Sequence, residues 1–195
     1  MEGDLDIKVW EKLHFVSSRE WLKSLREIEL KSARLKLSEK TRTLRTNKLK
    51  MWRESRQAAL FCYGLSLRYG TDIEIALLED SDYDFVARWV TLDGHINYTK
   101  VQLKELVPDH LNPTQNLSGL FESISKKYKS SSNLVVAIYM NKAIDIDFST
   151  IKIEQKMMIG NLWLFGCASE DQHEWLLYGD MLMDNAVLTR FQYPS

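Results

Sequence analysis

Asp84, Gln102 and Lys104 are the residues whose types and spacing could do chemistry in this chain. A carboxylate, an amide and an amine act together only if the chain between them folds back. That chain reads as two apolar runs, "YDFVARWVT" and "INYTKVQLKEL", separated by "LDGH". Asp-Gly favours a tight hairpin between two strands. A hairpin centred near Asp93 pairs position 84 with about position 102. Side chains alternate along a strand, so Lys100, Gln102 and Lys104 share one face and Val101 and Leu103 take the other.

Such a cluster suits hydrolysis of a phosphodiester. Asp84 is expected to be an anionic ligand for Mg²⁺ or Mn²⁺, with the Gln102 carbonyl oxygen and the backbone oxygen of Leu103 as further hard donors. Asp82, two residues earlier, could share the Asp84 face. A bound cation activates water and offsets charge growing on the phosphate. Lys104 would position or deprotonate that water, or stabilise the pentavalent phosphorus; as a base it needs a depressed pKa. A neutral glutamine brings less charge than a carboxylate, so one more acid is expected. Glu54 is the first choice and Glu74 the second.

The elements that must position these groups are legible as changes of period. "SSREWLKSLREIELKSARLKL" reads as a helix, with Ser17 and Glu20 in a capping-box pattern and Trp21, Leu25, Ile28 and Leu35 at helical spacing. A second helix is expected over Lys50 to Tyr69, ending at Gly70, with Ala58, Phe61, Cys62, Leu65 and Tyr69 on its apolar stripe. Strands follow at "TDIEIALLE" and in the two hairpin arms. After the Pro108–Pro113 loop come a helix over 114–128 and the continuously apolar "NLVVAIYM", the pattern of a strand covered on both faces. "NLWLFGCAS" and "HEWLLYGDM" are two further strands. The fold class expected is α/β, a central mixed sheet flanked by helices.

Composition narrows the classes. The 195 residues, 45% hydrophobic and 27% charged, fit one globular domain with an appendage. Cys62 and Cys167 are the only cysteines, too few for a disulfide framework and consistent with a reducing compartment. The start "MEGDLDIKVW" lacks the pattern of a secretory signal, and no apolar run is long enough to span a membrane; a cytoplasmic location is expected. His14, His95, His110 and His173 have no metal-ligand spacing. The isolated glycines form no phosphate-binding loop. The formal net charge of −1 hides a basic stretch from Lys31 to Arg56, with ten Lys or Arg and two acids. Arg42, Arg45, Lys48, Lys50, Arg53 and Arg56 are candidate phosphate contacts; the alternative is a solvated helical surface.

With the element order around it, Asp84…Gln102-Leu103-Lys104 resembles the PD-(D/E)xK nuclease superfamily. The helix "RESRQAALFCYGLSLRYG" precedes the motif and "TQNLSGLFESISKKY" follows it. Gln102 stands where the family has an acid, which resembles the Mrr-like branch, and Tyr83 stands where the family name has proline. The whole chain also looks like a bacterial family described as endonucleases. The resemblance implies a restriction-endonuclease-like sandwich, with a basic helical extension at 1–49 packed on or next to a nuclease-like domain at 50–195. Its core motif region is 50–140 and its C-terminal strands lie at 160–183. The implied roles are metal binding at Asp84, catalysis at Lys104 and the helix acid at Glu54, acting on nucleic acid, expected to be DNA. Six tryptophans would find a place in a homodimer interface. Two other readings stay open: a nuclease-like fold that has lost catalysis and binds nucleic acid, and a protein-interaction module.

Overall fold

The computed structural model describes residues 2–32, 49–78, 82–142, 146–147, 151, 153 and 156–195. Arg42, Arg45 and Lys48 lie outside these residues, as does Leu35. The chain forms α1 (Glu2–Trp10), β1 (Val16–Ser17), α2 (Ser18–Ser32), α3 (Lys50–Tyr69), β2 (Ile73–Leu77), β3 (Phe85–Val90) and β4 (Ile96–Leu106). Then follow α4 (Leu117–Lys127), β5 (Ser131–Met140), β6 (Ile159–Cys167), β7 (Glu174–Gly179) and β8 (Val187–Gln192). The fold is mixed α/β, and among the described residues the strands form one eight-stranded sheet in the order β1 to β8. The β4–β5 and β5–β6 pairs are parallel and the others antiparallel.

The hairpin has the register its turn dictates. Phe85 pairs with Val101 and Val90 with Ile96. Continued by one residue, that register sets position 84 opposite 102. Odd-numbered residues of β2, β3 and β4 enter a core shared with α2 and α3, including Ile75, Phe85, Ala87, Val101 and Leu103. The other face packs on α4, where Leu120, Phe121 and Ile124 meet Leu106, Val136 and Ile138. β5 feeds both cores, Val135 and Ala137 into one and Val136 and Ile138 into the other. That double covering is why its sequence is apolar without alternation.

α3 ends where glycine is needed. Gly70 takes φ 68°, a left-handed conformation that other residues adopt at a cost, and its N–H donates to the Ser66 oxygen. Residues 57–64 of α3 are all buried. The helix is therefore covered on more than one side, by the sheet and by α2, and its buried surface is wider than a single stripe. Tyr69, placed on that stripe by spacing, is 59% exposed.

Several local expectations are corrected. The helix begins at Ser18, and the Ser17 hydroxyl donates to Asp72 Oδ1 at 3.3 Å, so Ser17 belongs to the β1 edge. α2 buries Ser18, Leu22 and Leu25, while Ile28 is 49% exposed. Leu25 is buried and Trp21 packs on the core, as the spacing predicts, while Leu22 rather than Ile28 completes the inward face. α1, β1 and β8 were not expected; β8 carries the C-terminal strands to Gln192. The described part of the N-terminal extension is tied into the sheet, since β1 pairs with β2 and the Tyr193 hydroxyl donates to the Leu22 oxygen.

The tryptophans are accommodated within one chain. Trp175 is fully buried, Trp163 and Trp10 nearly so, and Trp21 stacks on Trp52. Their number is thus no argument for a homodimer. Close packing also fixes Gly64, where an added Cβ would stand 2.9 Å from the Phe191 ring. Alanine in a helix interior ordinarily stabilises relative to glycine by about 1 kcal/mol. Here overpacking outweighs that gain, and Gly64→Ala is expected to lose about 1–2 kcal/mol in urea denaturation.

Candidate functional site

β4 is longer than its neighbour β3, and the site lies at that difference in length. The Asp84 N–H donates to the Val101 oxygen at 2.9 Å, and its oxygen accepts from the Leu78 N–H at 3.1 Å. Beyond this point β3 offers β4 no ladder partner, yet Leu103 is 7% exposed and its peptide groups need one. The Leu103 N–H donates to Asp84 Oδ2 at 2.6 Å. The Leu103 oxygen accepts from Gln102 Nε2 at 3.1 Å. The same Gln102 nitrogen donates to Asp84 Oδ2 in a short hydrogen bond. Side chains thus complete the ladder that β3 leaves unfinished.

Gln102 is itself 7% exposed and its amide is fully engaged. Its oxygen accepts from the Tyr128 hydroxyl at 2.8 Å. The direction of every bond follows from chemistry. A carboxylate and a peptide oxygen can only accept, so the amide face toward them must be the nitrogen. The Gln102 carbonyl oxygen, expected as a metal ligand, is turned toward Tyr128 instead.

Glu54 and Lys104 border this cluster. Glu54, in the second turn of α3, is paired with Lys50 at 3.5 Å. Burial pushes its carboxyl above the usual range, Lys50 pulls it back, and the nearby Asp84 charge adds to the rise. Glu74 is engaged elsewhere, accepting from Arg88 Nε at 2.6 Å across β2 and β3. Of the two acids considered, Glu54 is the one beside Asp84. Asp82 is exposed and close enough for its charge to be felt at Tyr128. Lys104 is half-buried. Burial lowers its pKa, the like charge of Lys127 lowers it further, and Asp84 partly opposes both. Among the described residues, no group of three or more His, Cys, Asp or Glu is placed to hold a metal ion.

The basic residues divide. Lys50 is paired to Glu54. Arg56 was expected to touch phosphate, but its side chain is 15% exposed and lies 3.2 Å from Glu29. Arg56 also donates to Gln172 at 2.7 Å and sits over the Trp175 ring at 5.5 Å. That cation ties α2, α3 and the β6–β7 turn together. Arg53 is half-buried beside Glu54 in the chain. Both thiols are pushed up by burial, which disfavours thiolate chemistry.

Tyr128 and Lys127 were missed as site residues. The signal was available in the topology. β4 and β5 are parallel, so α4 must run back along the sheet and its C-terminal end returns to the level of Gln102, which pairs with Val136. Searches of protein-family models, curated proteins and solved structures find no match to this chain. The site is therefore read from its own geometry.

A lysine whose pKa is lowered on folding weakens the folded state while it is charged in both states. The penalty is full below the folded-state pKa and vanishes as pH rises past the unfolded value of about 10.5. Lys104→Met is expected to raise stability in urea denaturation at pH 7. The gain should shrink steadily on going to pH 10.5; a gain independent of pH would mean that packing, not charge, is responsible.

Proposed function

We propose that this protein is a Mg²⁺- or Mn²⁺-dependent endonuclease acting on DNA phosphodiesters, with a restriction-endonuclease-like core over residues 50–140. The observation that carries this reading is the gathering of Asp84, the Leu103 peptide, Gln102 and Lys104 at one strand end, with Glu54 alongside. The donor set fits a hard divalent cation. Asp84 Oδ2 and the Leu103 oxygen already surround a single N–H₂ group, and Mg²⁺ is commonly held by one or two carboxylates with other oxygens and water. Asp84 and Glu54 would supply the charge, and Leu103 and Gln102 the neutral oxygens. Bound there, the cation would supply a more acidic water and charge compensation at the phosphate.

Lys104 does the rest from the same strand face. Its lowered pKa brings it nearer to a group that can hold or release a proton at neutral pH. Exposed Lys127, whose charge reaches Lys104, would face the incoming phosphate. Lys50 and Arg53 flank Glu54 and would contact the strand backbone beside it, giving affinity without sequence readout. Cutting both strands of a duplex would call for a second copy of the chain. The reading implies a cytoplasmic protein; among the described residues no helix is long and apolar enough to cross a membrane.

Supercoiled plasmid incubated with the protein and Mg²⁺ or Mn²⁺ should be nicked. Lys104→Ala should slow nicking by about 10² or more while the protein stays cooperatively folded at the assay pH. Nicking at the original rate in that variant removes Lys104 from the chemistry. The second reading, a nuclease-like module that binds nucleic acid without cutting it, is favoured by Gln102 in place of an acid and by the absence of a three-acid cluster among the described residues. It predicts salt-sensitive DNA binding with no Mn²⁺ uptake in calorimetry. Gln102→Glu, which restores a charge, should then confer Mn²⁺ binding that the original chain lacks.

A further inference from the structure

The side-chain nitrogen of Gln102 contacts the two oxygens that a cation would need. It donates to Asp84 Oδ2 and to the Leu103 oxygen, while its own oxygen is held by Tyr128. We propose that the Gln102 amide is a removable plug, its nitrogen standing in for the divalent cation, and that Tyr128 is the positioning residue that holds it there. This rests on reading the site as cation-dependent.

The chemistry of the three groups makes the plug two-state. With no cation, turning the amide over sets its oxygen against two acceptors, Asp84 Oδ2 and the Leu103 oxygen, which repel it. With a cation among them, the same turn adds a third oxygen to its shell. The turned-over amide would then present its N–H₂ to Tyr128. The Lys127 ammonium sits over the Tyr128 ring at 4.9 Å. On the turned-over amide the Tyr128 oxygen would accept from the N–H₂, and its own proton would lose the Gln102 acceptor inside a residue that is 4% exposed. Tyr128 thus biases the amide toward its plugged orientation, and a cation must overcome that bias.

The bias predicts that removing one hydroxyl improves cation binding. Tyr128→Phe keeps the ring and its packing and deletes the hydroxyl that holds the Gln102 amide oxygen. In calorimetry with Mn²⁺, the variant should bind roughly fivefold or more tightly than the original chain, the worth of one buried hydrogen bond. A cation-free readout accompanies it. In the ¹⁵N-labelled full chain, exchange of the Gln102 side-chain amide protons should be slow, and at least several-fold faster in Tyr128→Phe. Added Mg²⁺ should shift both of these proton signals in the original chain. Gln102→Glu separates the two ideas. If the original chain also binds Mn²⁺ while Tyr128→Phe matches it in affinity and in amide exchange, the plug is overturned and the cation site stands; if Gln102→Glu alone binds Mn²⁺, the original chain has no cation site and both ideas fail. If no protein, Gln102→Glu included, takes up Mn²⁺ at millimolar concentration, the cation-dependent reading fails and the plug fails with it.

Discussion

The Leu103 peptide is the constraint around which the site is built. β4 continues past the end of β3 and carries a buried donor and a buried acceptor into a place without a ladder partner. An unmet peptide group in such a place costs on the order of 1–3 kcal/mol. The chain answers with side chains, Asp84 for the N–H and Gln102 for the oxygen. Satisfying the peptide also concentrates negative charge and acceptor oxygens at one point. The residues that satisfy the peptide are thus the same ones that the proposed cation site would use.

Two covered faces enclose that point. On one side α3 presses Ala58 and Phe61 toward Phe85, Val101 and Leu103. On the other, α4 brings Tyr128 under the strand, and its hydroxyl fixes the amide. α1 adds a third support, because Trp10 packs edge-on to Tyr83, the residue before Asp84, and donates to its hydroxyl at 3.3 Å. Glu54 and Lys104 are left half-buried at the rim, where burial brings their pKa values toward each other.

What could be read in the sequence was what neighbouring residues decide. Asp-Gly set the hairpin and hence the pairing of 84 with 102, and Gly70 marked the end of α3. The strand bounds Ile96–Leu106 followed from alternation between clear breaks. Contacts between distant residues were not legible. Arg56 reads as a surface cation until Trp175 and Glu29 are brought to it from other elements. β1 is two residues long and carries no period. Ile28 and Leu22 fit a helical stripe equally well, and only the position of α3 decides which faces inward. The orientation of the Gln102 amide depends on Tyr128, twenty-six residues away.

Among the described residues, spatial order in the sheet follows chain order from β1 to β8. Each strand therefore finds its partner in the strand made just before it. Ribosomal synthesis delivers the elements in the sequence in which they add to the growing edge, and no early strand waits beside water for a late one to be inserted next to it. The architecture suits vectorial assembly during translation.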